Sequence, residues 1–156
     1  MLSTLEKVIF LKSVNLFKET ADEILTQLAM LLEEVNIPAG DTIFEKGAPG
    51  ECMYIIVSGQ VEVYDGDHLL NGLSDGDVFG EMALLDSRAR LASITATTDT
   101  HLLRLDQEPF YELMEDHIEV ARGVIFVLSG YLHNLLDDIS QLKSQSPSEH
   151  YIEKFL

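Results

Sequence analysis

An α+β fold is predicted: an antiparallel β-roll, double-sheeted in the manner of a jelly roll, flanked by N-terminal and C-terminal helices. Three observations lead there. Helical apolar spacing is confined to the two ends of the chain. The middle, residues 36–105, consists of short β-branched and aromatic runs. Those runs are punctuated at close intervals by Gly- and Asp-containing turns. The 156 residues are 46% hydrophobic and 24% charged, enough for one domain with one buried core.

The first helices span 3–35. Ser3-Thr4-Leu5-Glu6 and Thr20-Ala21-Asp22-Glu23 both match a capping box, in which a hydroxyl and a carboxylate satisfy each other's orphan amides. Ile24, Leu25, Leu28, Leu31, Leu32 and Val35 follow as one apolar helical stripe, and Asn36-Ile37-Pro38-Ala39-Gly40 ends it. The roll then begins. Cys52-Met53-Tyr54-Ile55-Ile56-Val57 is a core strand with Cys52 as its buried thiol. Val61-Glu62-Val63-Tyr64 alternates with period two, and Asp65-Gly66 after it is a hairpin signal, since Gly accepts positive φ. Further turns lie at Ala39-Gly40, Gly47-Ala48-Pro49-Gly50, Ser58-Gly59 and Ser74-Asp75-Gly76-Asp77.

The C-terminal helices span 107–142. Asp106 is placed to cap the first, with Pro109 tolerated in its opening turn. The second runs from near Ile118 to near Leu142. Its residues Ile125, Leu128, Leu132, Leu135, Ile139 and Leu142 form a heptad-like seam. That seam either packs on its own roll or joins two copies as a homodimer, and the dimer is the favoured reading. The domain therefore covers 1–143, and 144–156, opening on Ser144-Gln145-Ser146-Pro147-Ser148, reads as a tail or linker.

Charge narrows the partners. Ten Lys and Arg against 27 Asp and Glu give −17, which disfavours nucleic acid and anionic membranes alike. No basic-then-apolar leader opens the chain, and no apolar run reaches the length of a span, so no direct membrane contact is expected. The lone Cys52 forbids an internal disulfide, and the expected location is cytoplasmic. His68, His101, His117, His133 and His150 are scattered, where a metal site needs convergent ligands. No nucleophile–base motif or phosphate-binding Walker loop is present, so the chain reads as no enzyme and as holding no metal. A cupin-like metalloenzyme, the rival for a β-roll, needs the histidine cluster that is missing.

In so acidic a chain each Arg is informative. The segment Phe79-Gly80-Glu81-Met82-Ala83-Leu84-Leu85-Asp86-Ser87-Arg88-Ala89-Arg90-Leu91-Ala92-Ser93 follows a Gly-Asp turn. A short helix starting at Gly80-Glu81 presents free amides to an anion. Arg90, just before the next strand, can fold back and pair with a phosphate. The plainer alternatives are Arg90 as a surface group paired with Asp86 or Asp75, and Glu81 as a helix-start charge. Arg88 reads as solvent-facing.

Phe-Gly-Glu-x-Ala-Leu followed by a short loop and Arg-x-Ala resembles the phosphate-binding cassette of cyclic-nucleotide-binding domains, found in catabolite activators, protein kinase regulatory subunits and cyclic-nucleotide-gated channels. Gly47 to Gly59, with Tyr54-Ile55-Ile56-Val57-Ser58-Gly59-Gln60-Val61, resembles the same family's third and fourth strands. The resemblance implies a ligand, cyclic AMP or cyclic GMP, and no cofactor. It places Gly80, Glu81, Met82, Ala83, Arg90, Leu91 and Ala92 at that ligand. Glu81 accepts the ribose 2′-hydroxyl, Arg90 pairs with the cyclic phosphate, and amides near Gly80, Ala83 and Ala92 complete the cradle. Leu84 is the apolar sensor against Phe110, Tyr131 a lid residue, and the base lies near Tyr54 to Val57. Ala89 stands where the family often has Pro. Leu91 stands where it has a small residue or Thr; with no hydroxyl for a guanine, Leu91 leans toward cyclic AMP. Those two departures keep open an alternative, a roll that has lost its ligand and serves as a structural or dimerisation module.

Overall fold

The computed structural model describes residues 1–143; the tail or linker read at 144–156 lies outside them. Helix α1 (Thr4–Lys12) starts where expected, on one half of its capping box: Ser3 Oγ accepts from the Glu6 amide at 3.2 Å. A 3-10 turn (Asn15–Phe17) leads to α2 (Asp22–Leu31). The second capping box does not form. Ala21 occupies the cap position, its carbonyl accepts from the Ile24 and Leu25 amides, and Thr20 Oγ1 is buried with no partner.

Helix α2 also stops four residues short of the expected Val35. Leu32 turns to extended backbone, and Glu33–Ile37 becomes strand β1. The cause is tertiary: β1 pairs antiparallel with β8 (Thr100–Asp106), from Glu33 opposite Arg104 to Ile37 opposite Thr100. Ladder hydrogen bonds and a β-branched Val35 outweigh the continuing apolar stripe. An ion pair of Arg104 with Glu33, 2.5 Å, closes the start of the ladder.

The remaining strands are β2 (Thr42–Phe44), β3 (Cys52–Ser58), β4 (Gln60–Asp65), β5 (His68–Ser74), β6 (Val78–Phe79) and β7 (Ser93–Ala96). They form two four-stranded antiparallel sheets, ordered β1-β8-β3-β6 and β2-β7-β4-β5. The Asp65-Gly66 hairpin joins β4 to β5, with Gly66 at φ 60°. The roll thus spans 33–106, three residues earlier and one later than expected.

Alternation along β3 and β8 divides the core in two. Met53, Ile55, Leu103 and Leu105 face the helices, where Leu11, Phe17, Leu28, Leu84 and Phe110 join them. Ile56 and Leu102 point into the roll with Val61, Phe79 and Ile94. Cys52, at the edge of this division, is half-buried rather than fully enclosed.

Two helices close the domain, α3 (Gln107–Asp116) and α4 (Ile118–Lys143). Asp106 holds the cap position of α3, but its side chain caps nothing; it lies 3.2 Å from Arg104 Nε instead. No helix among the described residues is long and apolar enough to cross a membrane.

Candidate functional site

A cavity of about 760 Å³ opens between the segment 80–92, the inner face of the second sheet and strand β6 of the first. That volume suits a small organic ligand. Its apolar wall is Phe44 of β2, Val63 of β4, Val78 and Phe79 of β6, and Ile94 of β7. Tyr54 to Val57 of β3, expected beside a base, are not part of it. Ile55 and Ile56 are spent on closed core, while Tyr54 stacks behind the wall residue Phe79 at 5.1 Å.

All seven residues singled out at a ligand, Gly80, Glu81, Met82, Ala83, Arg90, Leu91 and Ala92, border this one cavity. The short helix is smaller than expected: a single 3-10 turn, Glu81–Leu84. Its dipole is correspondingly slight. What it offers an anion is local, because a 3-10 turn leaves its first amides, those of Glu81 and Met82, outside its own bonding. The Ala83 amide is already engaged by Gly80 O at 3.1 Å.

Gly80 makes the geometry possible. Its φ is 74°, and a Cβ there would lie 2.6 Å from Arg90 Nη1. Gly80→Ala is therefore expected to combine left-handed backbone strain of about 1–3 kcal/mol with displacement of Arg90. Chemical denaturation reads the first effect and ligand titration the second; unchanged values in both contradict the close approach.

Arg90 is pinned through its backbone. The loop 47–50 pairs with residues 88–90 by Arg90 N to Ala48 O (2.8 Å), Gly47 N to Arg90 O (2.8 Å) and Gly50 N to Arg88 O (3.2 Å). The side chain is 8% exposed. Its Nη2 donates to Cys52 O at 2.7 Å, and its Nε is buried with no acceptor. The two carboxylates weighed as plain partners are occupied elsewhere. Asp86 pairs with Arg88 at 2.5 Å, and Asp75 accepts from the Gly59 amide at 2.8 Å. Arg88 itself is solvent-facing, its side chain 86% exposed.

Glu81 is half-buried, and that burial pushes its carboxyl above the ordinary carboxylate range. Met82 is largely exposed at the rim, and Leu91 stands 88% exposed there. Behind the turn, Leu84 and Phe110 are fully buried in the same cluster. Tyr131 does not line the cavity. Burial, and then the nearby Glu81 charge, raise its phenol above the ordinary value.

Two residues of α3 reach the turn without having been singled out. Gln107 Nε2 donates to Ala83 O at 2.9 Å, and Ser87 Oγ donates to Gln107 Oε1 at 2.8 Å. Tyr111 donates to Leu85 O at 2.9 Å. In the sequence Gln107 carried only a helix-start signal. Among the described residues no group of His, Cys, Asp and Glu converges as a metal site.

Known proteins resemble this chain in sequence and in fold. The family model of the cyclic nucleotide-binding domain matches residues 34–117, more than half the chain. A cAMP-dependent protein kinase regulatory subunit of Aspergillus fumigatus is 37% identical over 115 residues, 72% of this chain and 28% of that protein. A CRP-like cAMP-activated global transcriptional regulator of Mycobacterium tuberculosis is 28% identical over 137 residues, 85% of this chain and 61% of the relative. The chain thus spans less than two thirds of the length of either. Among solved structures, the N-terminal domain of a transcriptional regulator from Streptomyces coelicolor superposes with a TM-score of 0.76 at 28% identity, covering 82% of this chain and 95% of that one. The Thermus thermophilus catabolite activator protein does so at 0.65 and 30%, covering 83% and 63%. With the roll, the cassette segment and the matched stretch in agreement, this chain belongs to the cyclic nucleotide-binding domain family.

Proposed function

We propose that the chain is a sensing module whose ligand is cyclic AMP, and that it regulates a larger protein rather than catalysing a reaction. The observation that carries this reading is Arg90: a buried guanidinium beside a ligand-sized cavity, with an orphaned Nε–H and no ion pair among the described residues. A buried donor without an acceptor is costly, and an anion with several oxygens relieves it.

In this reading the cyclic phosphate meets Arg90 and the free amides of the turn at Glu81 and Met82. Glu81 accepts the ribose 2′-hydroxyl, and Ala92 flanks the phosphate. The base lies on the Phe44–Val63–Ile94 wall with Leu91 over it. The lack of a hydroxyl on Leu91 favours adenine over guanine. Ligand draws the turn inward, Leu84 shifts against Phe110, and α3 and α4 follow, with Tyr131 closing as a lid. A ligand moves that equilibrium only by its differential affinity for the two states. The test is thermal denaturation with cyclic AMP and cyclic GMP. At about a hundredfold excess over Kd, cyclic AMP adds roughly 2.7 kcal/mol, and cyclic GMP less at equal concentration. No shift with either at millimolar concentration refutes the reading and favours the ligand-free module.

Protonation gives a second expectation. A carboxyl raised by burial takes up its proton at higher pH than an ordinary one, here Glu81. Its charged form is the better acceptor for the 2′-hydroxyl. Affinity is therefore steady near neutrality and falls as pH drops toward the raised Glu81 value, while Glu81→Gln binds more weakly throughout and loses that pH dependence. Titrations from pH 7.5 downward check this, staying above the pI of about 4.4.

Helix α4 supports a homodimer. Its seam residues Ile125, Leu132, Leu135, Ile139 and Leu142 are exposed, Leu142 to 69%, while Leu128 packs on the chain's own core, and the last four recur at the 3, 4, 3 spacing of a helix–helix interface. Sedimentation of the wild-type domain at micromolar concentration is expected to give a dimer, and Leu132→Glu with Leu135→Glu a monomer. A wild-type monomer contradicts the proposal. At a charge of −17 the domain is not proposed to contact nucleic acid, and a cytoplasmic location fits its single free thiol.

A further inference from the structure

A buried cation needs compensation, and in an acidic chain the ready source is a carboxylate. No described Asp or Glu pairs with Arg90. What faces it is an aromatic ring. The guanidinium carbon of Arg90 lies 4.1 Å from the centroid of Phe44, well inside the ~6 Å reach of a cation–π contact. The ring is itself held: its centroid is 5.9 Å from Phe79 and 6.2 Å from Tyr54, and those two stack at 5.1 Å. Tyr54 and Phe79 are opposite one another on β3 and β6, so the aromatic cluster is anchored in one sheet and Phe44 reaches it from the other.

We infer that Phe44 is a positioning residue for the anion site: its ring holds the Arg90 guanidinium in place by a cation–π contact and so sets the affinity for the cyclic phosphate. The inference deepens the proposed function and rests on it for the identity of the anion. The chemistry explains why a ring serves here. A carboxylate holder takes up the N–H donors along the guanidinium edge and neutralises its charge, and a phosphate then has to displace it. A ring binds the flat face, consumes no donor and leaves the positive charge in force. The Cys52 carbonyl takes one edge donor, Nη2 at 2.7 Å, and Gly80 offers no side chain against Nη1. The arginine is thus fixed before a ligand arrives, which lowers the ordering cost of binding.

Two variants separate ring from bulk: Phe44→Leu keeps an apolar side chain and removes the π face, and Phe44→Tyr keeps the ring. In ligand-free protein labelled with ¹⁵N-arginine, the Arg90 Nε–H signal, identified by its loss in Arg90→Lys, is expected to be shifted upfield by the ring. It keeps that shift in Phe44→Tyr and moves to an ordinary arginine position in Phe44→Leu. In calorimetry with cyclic AMP, Phe44→Leu weakens binding on the order of tenfold and Phe44→Tyr restores it. In an Arg90→Ala background, Phe44→Leu costs clearly less than in wild type, since only its contact with the base is left to lose. An Arg90 signal identical in wild type and Phe44→Leu overturns the inference, as does an equal loss from Phe44→Leu with and without Arg90. Should Phe44→Leu not melt cooperatively, Phe44→Met makes the same comparison. A shifted Arg90 signal in a wild type that binds no cyclic AMP overturns the ligand reading and leaves the Phe44–Arg90 contact standing.

Discussion

Replacing Arg90 by alanine is expected to weaken cyclic-AMP binding by roughly 2–5 kcal/mol, the usual cost of removing one partner of a buried, hydrogen-bonded charge pair. The fold should survive. The side chain's hydrogen bonds within the chain go to one residue, Cys52, at its carbonyl oxygen (2.7 Å) and its Sγ (3.5 Å), whereas the backbone of residue 90 keeps both its bonds to the 47–48 loop. Arg88→Ala is the matched control. Its guanidinium is solvent-exposed and paired with Asp86, and surface pairs of this kind contribute little. Calorimetry on the two variants separates a local anion contact from general positive charge. Equal affinity in wild type and Arg90→Ala refutes the role; equal losses in both variants point to charge alone.

The second large effect concerns the path out of the site. Phe110→Ala is expected to destabilise the domain by about 3–5 kcal/mol, as deletion of a fully buried aromatic does. Phe110 has no exposed surface. Its ring lies 5.6 Å from Phe17 and 6.4 Å from Tyr111, and it shares the helix-side core with Leu84, Val124 and Val127. One side chain thus joins the N-terminal turn, the cassette turn and α4. Against a typical total of about 5–15 kcal/mol the loss is large, and urea denaturation measures it directly. A loss below about 1 kcal/mol would show that Phe110 does not join these elements. The polar contacts of Gln107 and Tyr111 with the same turn give α3 a second grip on it.

What was legible in the sequence was mostly local. The β4–β5 hairpin followed from Asp65-Gly66, and α4 from its apolar spacing, because one short stretch contains the whole signal. The cassette segment was legible for the same reason: Gly80 to Ala92 is contiguous, so turn, carboxylate and arginine could be read together. Failures came where distant segments decide. The stripe through Leu31, Leu32 and Val35 runs unbroken from helix into strand, and only the pairing of β1 with β8 ends the helix. Thr20 has the right chemistry for a cap, yet the chain enters α2 one residue later. Tyr54 to Val57 were read as near the base, but an apolar strand does not disclose which of its residues close the core: Tyr54 stacks on Phe79 of the cavity wall, while Ile55 and Ile56 are core. Phe44, which faces Arg90, sits at the end of a three-residue strand, and nothing near it in sequence marks that role; β2 comes to the site by pairing with β7.

A crystal structure of the domain grown with cyclic AMP tests the anion site most directly. The expected density has phosphate oxygens within hydrogen-bond distance of the Arg90 guanidinium, the ribose 2′-hydroxyl on the Glu81 carboxylate, and the base against Phe44 and Ile94. An empty cavity at saturating nucleotide, or a nucleotide bound with its phosphate away from Arg90, contradicts it.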